Sequence, residues 1–88
     1  MNISKKPSFF RDLKKITNHA LKEEVEQAIL SVMKAQSPKD IPKLKKMKGY
    51  KIHYRIKVGG YRMGVTIIGA MVTFEAFAPR KDFYKSFP

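Results

Sequence analysis

The stretch KIHYRIKVGGYR, residues 51–62, decides the fold of this chain. At the two-residue period of a β-strand, one of its faces is apolar and the other is densely cationic. The apolar face carries Ile52, Tyr54, Ile56 and Val58, and the cationic face carries Lys51, His53, Arg55 and Lys57. Gly59-Gly60 predicts a two-residue hairpin turn, because glycine adopts the positive φ of such turns without steric cost. The return strand then brings Arg62 opposite Lys57, on the same cationic face.

The sequence after the turn predicts a meander of antiparallel strands. Residues 61–68 form the second strand, Gly69-Ala70 the next turn, and residues 71–78 the third strand. With two-residue turns, counting pairs Arg55 with Gly64, His53 with Thr66, and Gly64 with Glu75. Alternation assigns the core side of the third strand to Val72, Phe74, Ala76 and Ala78, and its polar side to Thr73, Glu75 and Phe77. Glycine inside a strand indicates the floor of a shallow pocket between Arg55 and Glu75, and the alternatives are a β-bulge or simple tolerance of the glycine.

The N-terminal half predicts two helices. Apolar residues recur at helical spacing over residues 8–17, and Asn18 is a suitable cap for a second helix that ends at Ser37-Pro38. The apolar stripe of the second helix is Leu21, Val25, Ala28, Ile29, Val32 and Met33. A short strand over residues 1–6 and a lysine-rich connector over residues 38–49 complete the chain. The predicted fold class is α+β, one domain spanning residues 1–88, with two N-terminal helices packed on one face of a small antiparallel sheet of three to four strands and the other face bare.

Composition narrows the class of partner. The 88 residues carry a formal net charge of +12, which favours nucleic acid, an acidic membrane surface or an acidic protein. An apolar content of 43% argues against a disordered basic tail. Cysteine is absent, which excludes disulfides and thiolate chemistry. Since no apolar run approaches the ~20 residues of a membrane span and the N-terminus lacks a signal-peptide core, we expect a cytoplasmic protein with no membrane partner.

The cationic face has the residue types that metal-free cleavage of RNA requires. A ribose 2′-OH would attack the adjacent phosphate, while arginines stabilise the charge on the phosphoryl oxygens and a base and an acid move the protons. His53 is the candidate base, and Tyr84 is a candidate acid or base, or a surface on which a nucleobase stacks. A structural histidine, and a tyrosine that packs with Phe83 and Phe87 at the core edge, are the alternatives. The two histidines are too far apart to predict a metal site, and no cofactor is expected.

The whole chain resembles the RelE/ParE toxin superfamily of type II toxin–antitoxin systems, and in particular its RelE-like mRNA interferases. The matching features are the leading helical pair, residues 44–52 running into the basic strand, the Gly60-Tyr61-Arg62 turn and the ending Arg80-Lys81-Asp82-Phe83-Tyr84. The Gly-Tyr-Arg turn and the Arg-x-x-x-Tyr ending are persuasive together, whereas either alone would be weak.

The resemblance implies a toxin that enters the ribosomal A site, cuts mRNA there, and is neutralised by a cognate antitoxin that covers its basic surface. At the matching positions it implies that Arg62 and Arg80 stabilise the scissile phosphate and that Tyr84 orients or activates the ribose. Arg55 falls where such enzymes often carry a lysine or arginine. His53 falls where the best-known members place a lysine proposed as base, and Pro79 stands where many relatives have histidine.

The site hypothesis combines these residues. The catalytic candidates are Arg62, Arg80, Tyr84, His53 and Arg55, and the RNA-binding candidates are Lys51, Lys57, Lys45, Lys46, Lys48 and Lys81. The alternative for the connector lysines is a solvated loop that only keeps the protein soluble. Arg62 is expected to be exposed, so that Arg62→Ala would abolish toxicity without unfolding the protein.

Two other functions stay open. ParE-like members of the superfamily poison DNA gyrase and need no RNA-cutting residues, although Arg62, Arg80 and Tyr84 together favour the nuclease. A non-catalytic nucleic-acid-binding module would use the cationic strand and Phe77 as a platform, with an affinity that falls steeply in salt. Substitution of Tyr84 separates these functions, because a binder would lose little and a nuclease most of its turnover.

Overall fold

The computed structural model describes residues 1–88 and contains three α-helices, one 3-10 turn and five β-strands. In chain order the elements are β1 (Asn2–Lys5), α1 (Pro7–Lys14), α2 (His19–Lys34), the 3-10 turn Pro38–Asp40, β2 (Leu44–Lys46), β3 (His53–Val58), β4 (Tyr61–Ile68), β5 (Met71–Pro79) and α3 (Arg80–Ser86). No helix is both long enough and apolar enough to cross a membrane. The α+β class is confirmed, and the third helix was not predicted.

The strands form one mixed sheet in the order β1-β5-β4-β3-β2. β1 is parallel to β5, and the other neighbours are antiparallel. The predicted first strand and the three-strand meander are confirmed. The connector prediction for residues 38–49 was wrong in part, because it contains the edge strand β2. The two lysines of β2 break the apolar alternation by which a strand is predicted from sequence. Charged side chains are nonetheless common on edge strands, because they prevent pairing with other chains.

The β3–β4 hairpin has the predicted register, and the β4–β5 pairing departs from it at one point. Arg55 pairs with Gly64, and His53 with Thr66. Gly64 pairs with Ala76 rather than with Glu75, because a β-bulge follows Gly64. A bulge inserts one unpaired residue and so reverses the side-chain alternation beyond it.

This reversal moves Phe77 into the core, where it is 4% exposed and stacks on Tyr61 with 5.0 Å between the ring centroids. The prediction that Phe77 lies on the polar face was therefore wrong. The assignment of Ala76 and Ala78 to the core side was wrong for the same reason, since they follow the bulge and lie only half-buried.

Helix α1 closes the edge of the sheet at the bulge. The pairing of β1 with β5 ends at Lys5 and Phe74, so the backbone beyond that point lacks a strand neighbour. The Ser8 hydroxyl donates to the Glu75 carbonyl at 2.6 Å, and an Asp12 carboxylate oxygen accepts from the Phe77 N–H at 3.0 Å. Because Ser8 and Asp12 are one helical turn apart, a single face of α1 supplies both partners.

The main core lies between the sheet and the helices α1 and α2. Its members include Phe9, Val25, Ile29, Val32, Ile56, Met63, Val65 and Phe74. Asn18 caps α2 as predicted, because its side-chain oxygen accepts from the Leu21 N–H. Two apolar assignments were wrong: Met33 is exposed on α2, and Ile52 precedes β3 and is exposed there.

The second face of the sheet is covered by α3, so the prediction of a bare face was wrong. Phe83 of α3 and Phe87 just after it are buried and stack with 5.1 Å between their centroids. The Phe87 ring occupies the space above Gly64, where an added Cβ would lie 2.8 Å from two of its ring carbons. Gly64 is thus the residue that lets the C-terminal segment approach the sheet.

We predict that Gly64→Ala lowers the free energy of unfolding by about 1–3 kcal/mol, since the new methyl group must displace the Phe87 ring. Chemical denaturation followed by circular dichroism measures the change. Gly60→Ala is the matched control, because nothing lies within 4 Å of a Cβ at that position and Gly60 has no positive φ. Equal stability of the two variants would contradict the role assigned to the contact between Gly64 and Phe87.

Candidate functional site

The cationic face of the sheet, defined here by His53, Arg55, Lys57, Arg62 and Lys45, lies on the side that α3 partly covers. Three of these residues alternate along β3, Arg62 pairs with Lys57, and Lys45 of the edge strand pairs with Arg55. Residues directly opposite on antiparallel strands have Cβ atoms about 4.5–5.5 Å apart. The fold therefore brings these five side chains together, as the pattern predicted for the four on the β3–β4 hairpin, while Lys45 joins them through the edge strand.

Arg62 is the least exposed of these cations, at 7%. Its Nη1 donates to the carbonyl oxygens of Gly59 at 3.1 Å and Tyr61 at 2.9 Å. Its Nε is buried and has no hydrogen-bond partner. The prediction that Arg62 is exposed was wrong, because the side chain folds back onto the β3–β4 turn instead of extending into solvent. Its catalytic role stays a prediction.

Arg55 is likewise held by backbone. Its Nη1 donates to the Lys43 carbonyl at 2.9 Å, which ties β3 to the residue before the edge strand. Lys43 has a φ of 61°, a left-handed conformation that few non-glycine residues adopt. No carboxylate lies within ion-pair distance of Arg55 or Arg62, so both guanidinium charges are unneutralised.

His53 lies between two aromatic rings. The Tyr50 ring is 5.3 Å from the imidazole and the Phe87 ring is 5.7 Å from it, both edge-to-face. His53 is half-buried. Its position beside Phe87 places it at the end of α3, and nothing in the contacts of the ring assigns it a catalytic role.

The start of α3 is anchored to the β3–β4 turn, because the Arg80 N–H donates to the Gly60 carbonyl at 3.0 Å. Arg80 and Tyr84 are both exposed and lie one helical turn apart. The Tyr84 ring contacts Phe83 edge-to-face at 5.1 Å. The predicted aromatic packing of the C-terminal residues is thus correct for Phe83 and Phe87, whereas Tyr84 points outward with 48% exposure.

The predicted RNA-binding lysines do not all share one surface. Lys45 pairs with Arg55 and lies on the cationic face, whereas its neighbour Lys46 pairs with Tyr54 and lies on the opposite side of the strand. Lys48 and Lys51 are exposed in the loop between β2 and β3, and Lys81 is exposed in the first turn of α3. Strand alternation therefore separates Lys46 from the cationic face, and the RNA-binding role of these lysines stays a prediction.

A polar group that the sequence pattern did not predict lies beside His53. The Thr66 hydroxyl donates to a Glu75 carboxylate oxygen at 2.9 Å, and the other oxygen lies 3.4 Å from Lys6 Nζ. Gly64 left a bulge open as an alternative, but nothing in the sequence placed the extra residue at Glu75, within reach of Thr66. Tyr50 was also missed, although an aromatic residue between Lys48 and Lys51 was a signal for a nucleic-acid contact.

The fold also forms a groove beside α2. A groove of about 810 Å³ runs between α2 and the end of β3, and its walls include Glu23, Glu24, Lys43 and Lys57. Carboxylates on one wall make this groove a poor phosphate site. No cluster of three or more histidine, cysteine or acidic side chains could hold a metal ion.

The fold recurs in a class of small toxins. The crystal structure of a RelB–RelE antitoxin–toxin complex from Methanococcus jannaschii matches with a TM-score of 0.78 and 31% identity, over 97% of this chain and 99% of that one. The YoeB dimer from Staphylococcus aureus shares the fold, with a TM-score of 0.69 and 18% identity over 86% and 92% of the two chains. No protein-family model matches the chain.

One curated relative covers almost the full length. The toxin RelE3 of Methanocaldococcus jannaschii is 34% identical over 82 residues, which are 92% of each protein. The chain belongs to the RelE toxin family.

We predict that Arg62→Ala costs about 1.5–3 kcal/mol of unfolding free energy, because two hydrogen bonds from a charged donor to the turn are lost. Lys57→Ala is the matched control: Lys57 pairs with Arg62, is exposed, and should change stability by less than about 0.5 kcal/mol. Urea denaturation of both variants tests this. If Arg62→Ala is as stable as Lys57→Ala, the two hydrogen bonds contribute nothing to the fold.

Proposed function

We propose that this protein is the toxin of a type II toxin–antitoxin system and acts as a ribosome-dependent mRNA endonuclease. The observation that carries the proposal is the state of Arg62. Its guanidinium is fixed beside the β3–β4 turn by two hydrogen bonds from Nη1, and no carboxylate lies within ion-pair distance of it. A guanidinium without a carboxylate partner keeps its full charge for an anion, and the phosphate of a bound RNA is such an anion.

The reaction needs no metal. The ribose 2′-oxygen attacks the adjacent phosphorus, its proton passes to a base, and the bond from phosphorus to the 5′-oxygen breaks as that oxygen takes a proton from an acid. The products are a 2′,3′-cyclic phosphate and a free 5′-hydroxyl. His53 and Tyr84 are the proposed proton-transfer residues, and charge on the phosphoryl oxygens is stabilised by Arg62 and Arg80.

The remaining cations grip the RNA backbone. Arg55 and Lys57 lie on the same strand face as His53, and Lys45 lies beside Arg55. Because neither arginine of the face has a carboxylate partner, each can interact with phosphate at full charge. The anchored start of α3 supports the placement of Arg80 beside the β3–β4 turn that also fixes Arg62.

The proposed partners are the ribosome with mRNA in its A site and a cognate antitoxin in the cytoplasm. One structural relative is a complex between a RelE toxin and a RelB antitoxin. A chain with a net charge of +12 favours a neutralising partner whose contact segment is acidic. Covering the cationic face would remove the proposed catalytic and RNA-binding residues at once.

Primer extension on a defined mRNA, with and without programmed ribosomes, tests the proposal. We expect cuts within A-site codons only when ribosomes are present. His53→Gln and Tyr84→Phe should each lower the cutting rate by about 100-fold or more, as expected for lost proton transfer. Lys14→Ala, at the exposed end of α1, is the control and should cut at the wild-type rate.

Folded wild-type protein that stops growth without cutting mRNA in either reaction would sink the nuclease proposal and favour gyrase as the target. Wild-type cutting by both site variants would instead remove His53 and Tyr84 from the mechanism. Cutting of free RNA at the same rate as ribosome-bound RNA would contradict the ribosome dependence alone.

A further inference from the structure

We propose that Tyr50 is a stacking platform for one nucleobase of single-stranded RNA, at the edge of the cationic face. The inference rests on the proposed function, since it assumes that RNA is the ligand of this face. It adds a subsite on the loop between β2 and β3, outside the catalytic candidates, and names the chemical group that the subsite takes.

The loop holds Tyr50 in a defined place. The Met47 N–H donates to the His53 carbonyl at 2.8 Å, and the Tyr50 N–H donates to the Met47 carbonyl at 3.1 Å. Gly49 has a φ of 85°, which turns the chain just before the tyrosine. A hydrogen-bonded turn of this kind presents the ring at a low entropic cost of ordering on binding.

The Tyr50 ring is the outer member of an aromatic row, defined as Tyr50, His53, Phe87, Phe83 and Tyr84. Successive centroids are 5.3, 5.7, 5.1 and 5.1 Å apart, so the rings are in continuous contact from the loop to α3. The inner members are fixed by Gly64, which leaves room for Phe87. Tyr50 nonetheless stays 45% exposed, so much of its ring is open to a ligand.

The charges around Tyr50 suit a nucleotide. Lys48 and Lys51 flank it in sequence, both are exposed, and neither has a carboxylate within ion-pair distance. Stacking of bases on aromatic rings in a positively charged groove is how proteins bind single-stranded nucleic acid without reading its sequence. An exposed aromatic ring with lysines on both sides of it favours RNA over a purely apolar partner, because an apolar partner would leave the lysines unpaired.

Phe10 provides a matched control. It is 48% exposed, close to the value for Tyr50, and it also has a cation nearby, with Lys5 Nζ 5.9 Å from its ring centroid. Phe10 lies on α1, which packs on β5 on the side of the main core, and it is outside the aromatic row. If exposed aromatic area alone attracted RNA, substitution of Phe10 and of Tyr50 would have equal effects.

The experiment measures fluorescence anisotropy with two labelled eight-nucleotide probes at low salt. One is single-stranded RNA with 2′-fluoro riboses, which lack the attacking hydroxyl. The other is an abasic strand that also lacks 2′-hydroxyls and has the same number of phosphates. We expect Tyr50→Leu to weaken binding of the base-containing probe by about 5- to 100-fold and to leave the abasic probe unchanged. Tyr50→Phe and Phe10→Leu should bind both probes as the wild type does.

Two results would overturn the stacking subsite. In one, the wild type binds the base-containing probe no more tightly than the abasic probe. In the other, Tyr50→Leu weakens both probes equally, or Phe10→Leu matches Tyr50→Leu. Because neither probe can be cleaved, the outcome is independent of the primer-extension test. A Tyr50 effect in a protein that never cuts mRNA would retain the subsite and reject the nuclease.

Discussion

The contact between Gly64 and the ring of Phe87 holds the functional face together. A Cβ on Gly64 would lie only 2.8 Å from the nearest carbons of the Phe87 ring. Because glycine has no Cβ, the C-terminal segment packs directly on β4. The other end of α3 is fixed by the hydrogen bond from the Arg80 N–H to the Gly60 carbonyl. With both ends attached to the same hairpin, Arg80 and Tyr84 have a defined place beside the cationic face. A short helix of seven residues would not hold its position on propensity alone.

The β-bulge after Gly64 determines which side chains of β5 face α3. It sends Phe77 into the main core and leaves the small side chains of Ala76 and Ala78 on the side of α3. Without the bulge a phenylalanine would lie beneath the helix and the core would lose a stacked ring. The backbone that the bulge exposes is satisfied by Ser8 and Asp12 of α1, on the edge of the sheet. Helix α1 therefore stabilises the bulge that shapes the face under α3, although α1 itself does not line that face.

The sequence predicted the parts of this protein that depend on local alternation. The β3–β4 hairpin, its register, the cap at Asn18 and the cationic row followed from spacing and from glycine chemistry. A bulge at Gly64 was left open as an alternative, but its position at Glu75 did not follow, because its cause is a tertiary arrangement: room for α3 on one face and hydrogen bonds from α1 at the edge. Arg62 was misplaced for a related reason. Alternation assigns a side chain to a face of the sheet, but it cannot tell whether the chain extends into solvent or folds back onto a turn.

The way the arginines are held bears directly on what the face can bind. Arg62 donates to the carbonyls of Gly59 and Tyr61, and Arg55 donates to the carbonyl of Lys43. Carbonyl dipoles fix the geometry of a guanidinium without cancelling its charge, whereas a carboxylate partner would do both. Two carboxylates at the sheet have other partners, Asp12 the backbone of β5 and Glu75 the side chains of Thr66 and Lys6. A third, Glu24, lies beside Gly59 but beyond ion-pair distance of either arginine. The guanidinium groups are thus held in place and are not neutralised by a carboxylate, which is the condition under which fixed cations stabilise an anion most strongly.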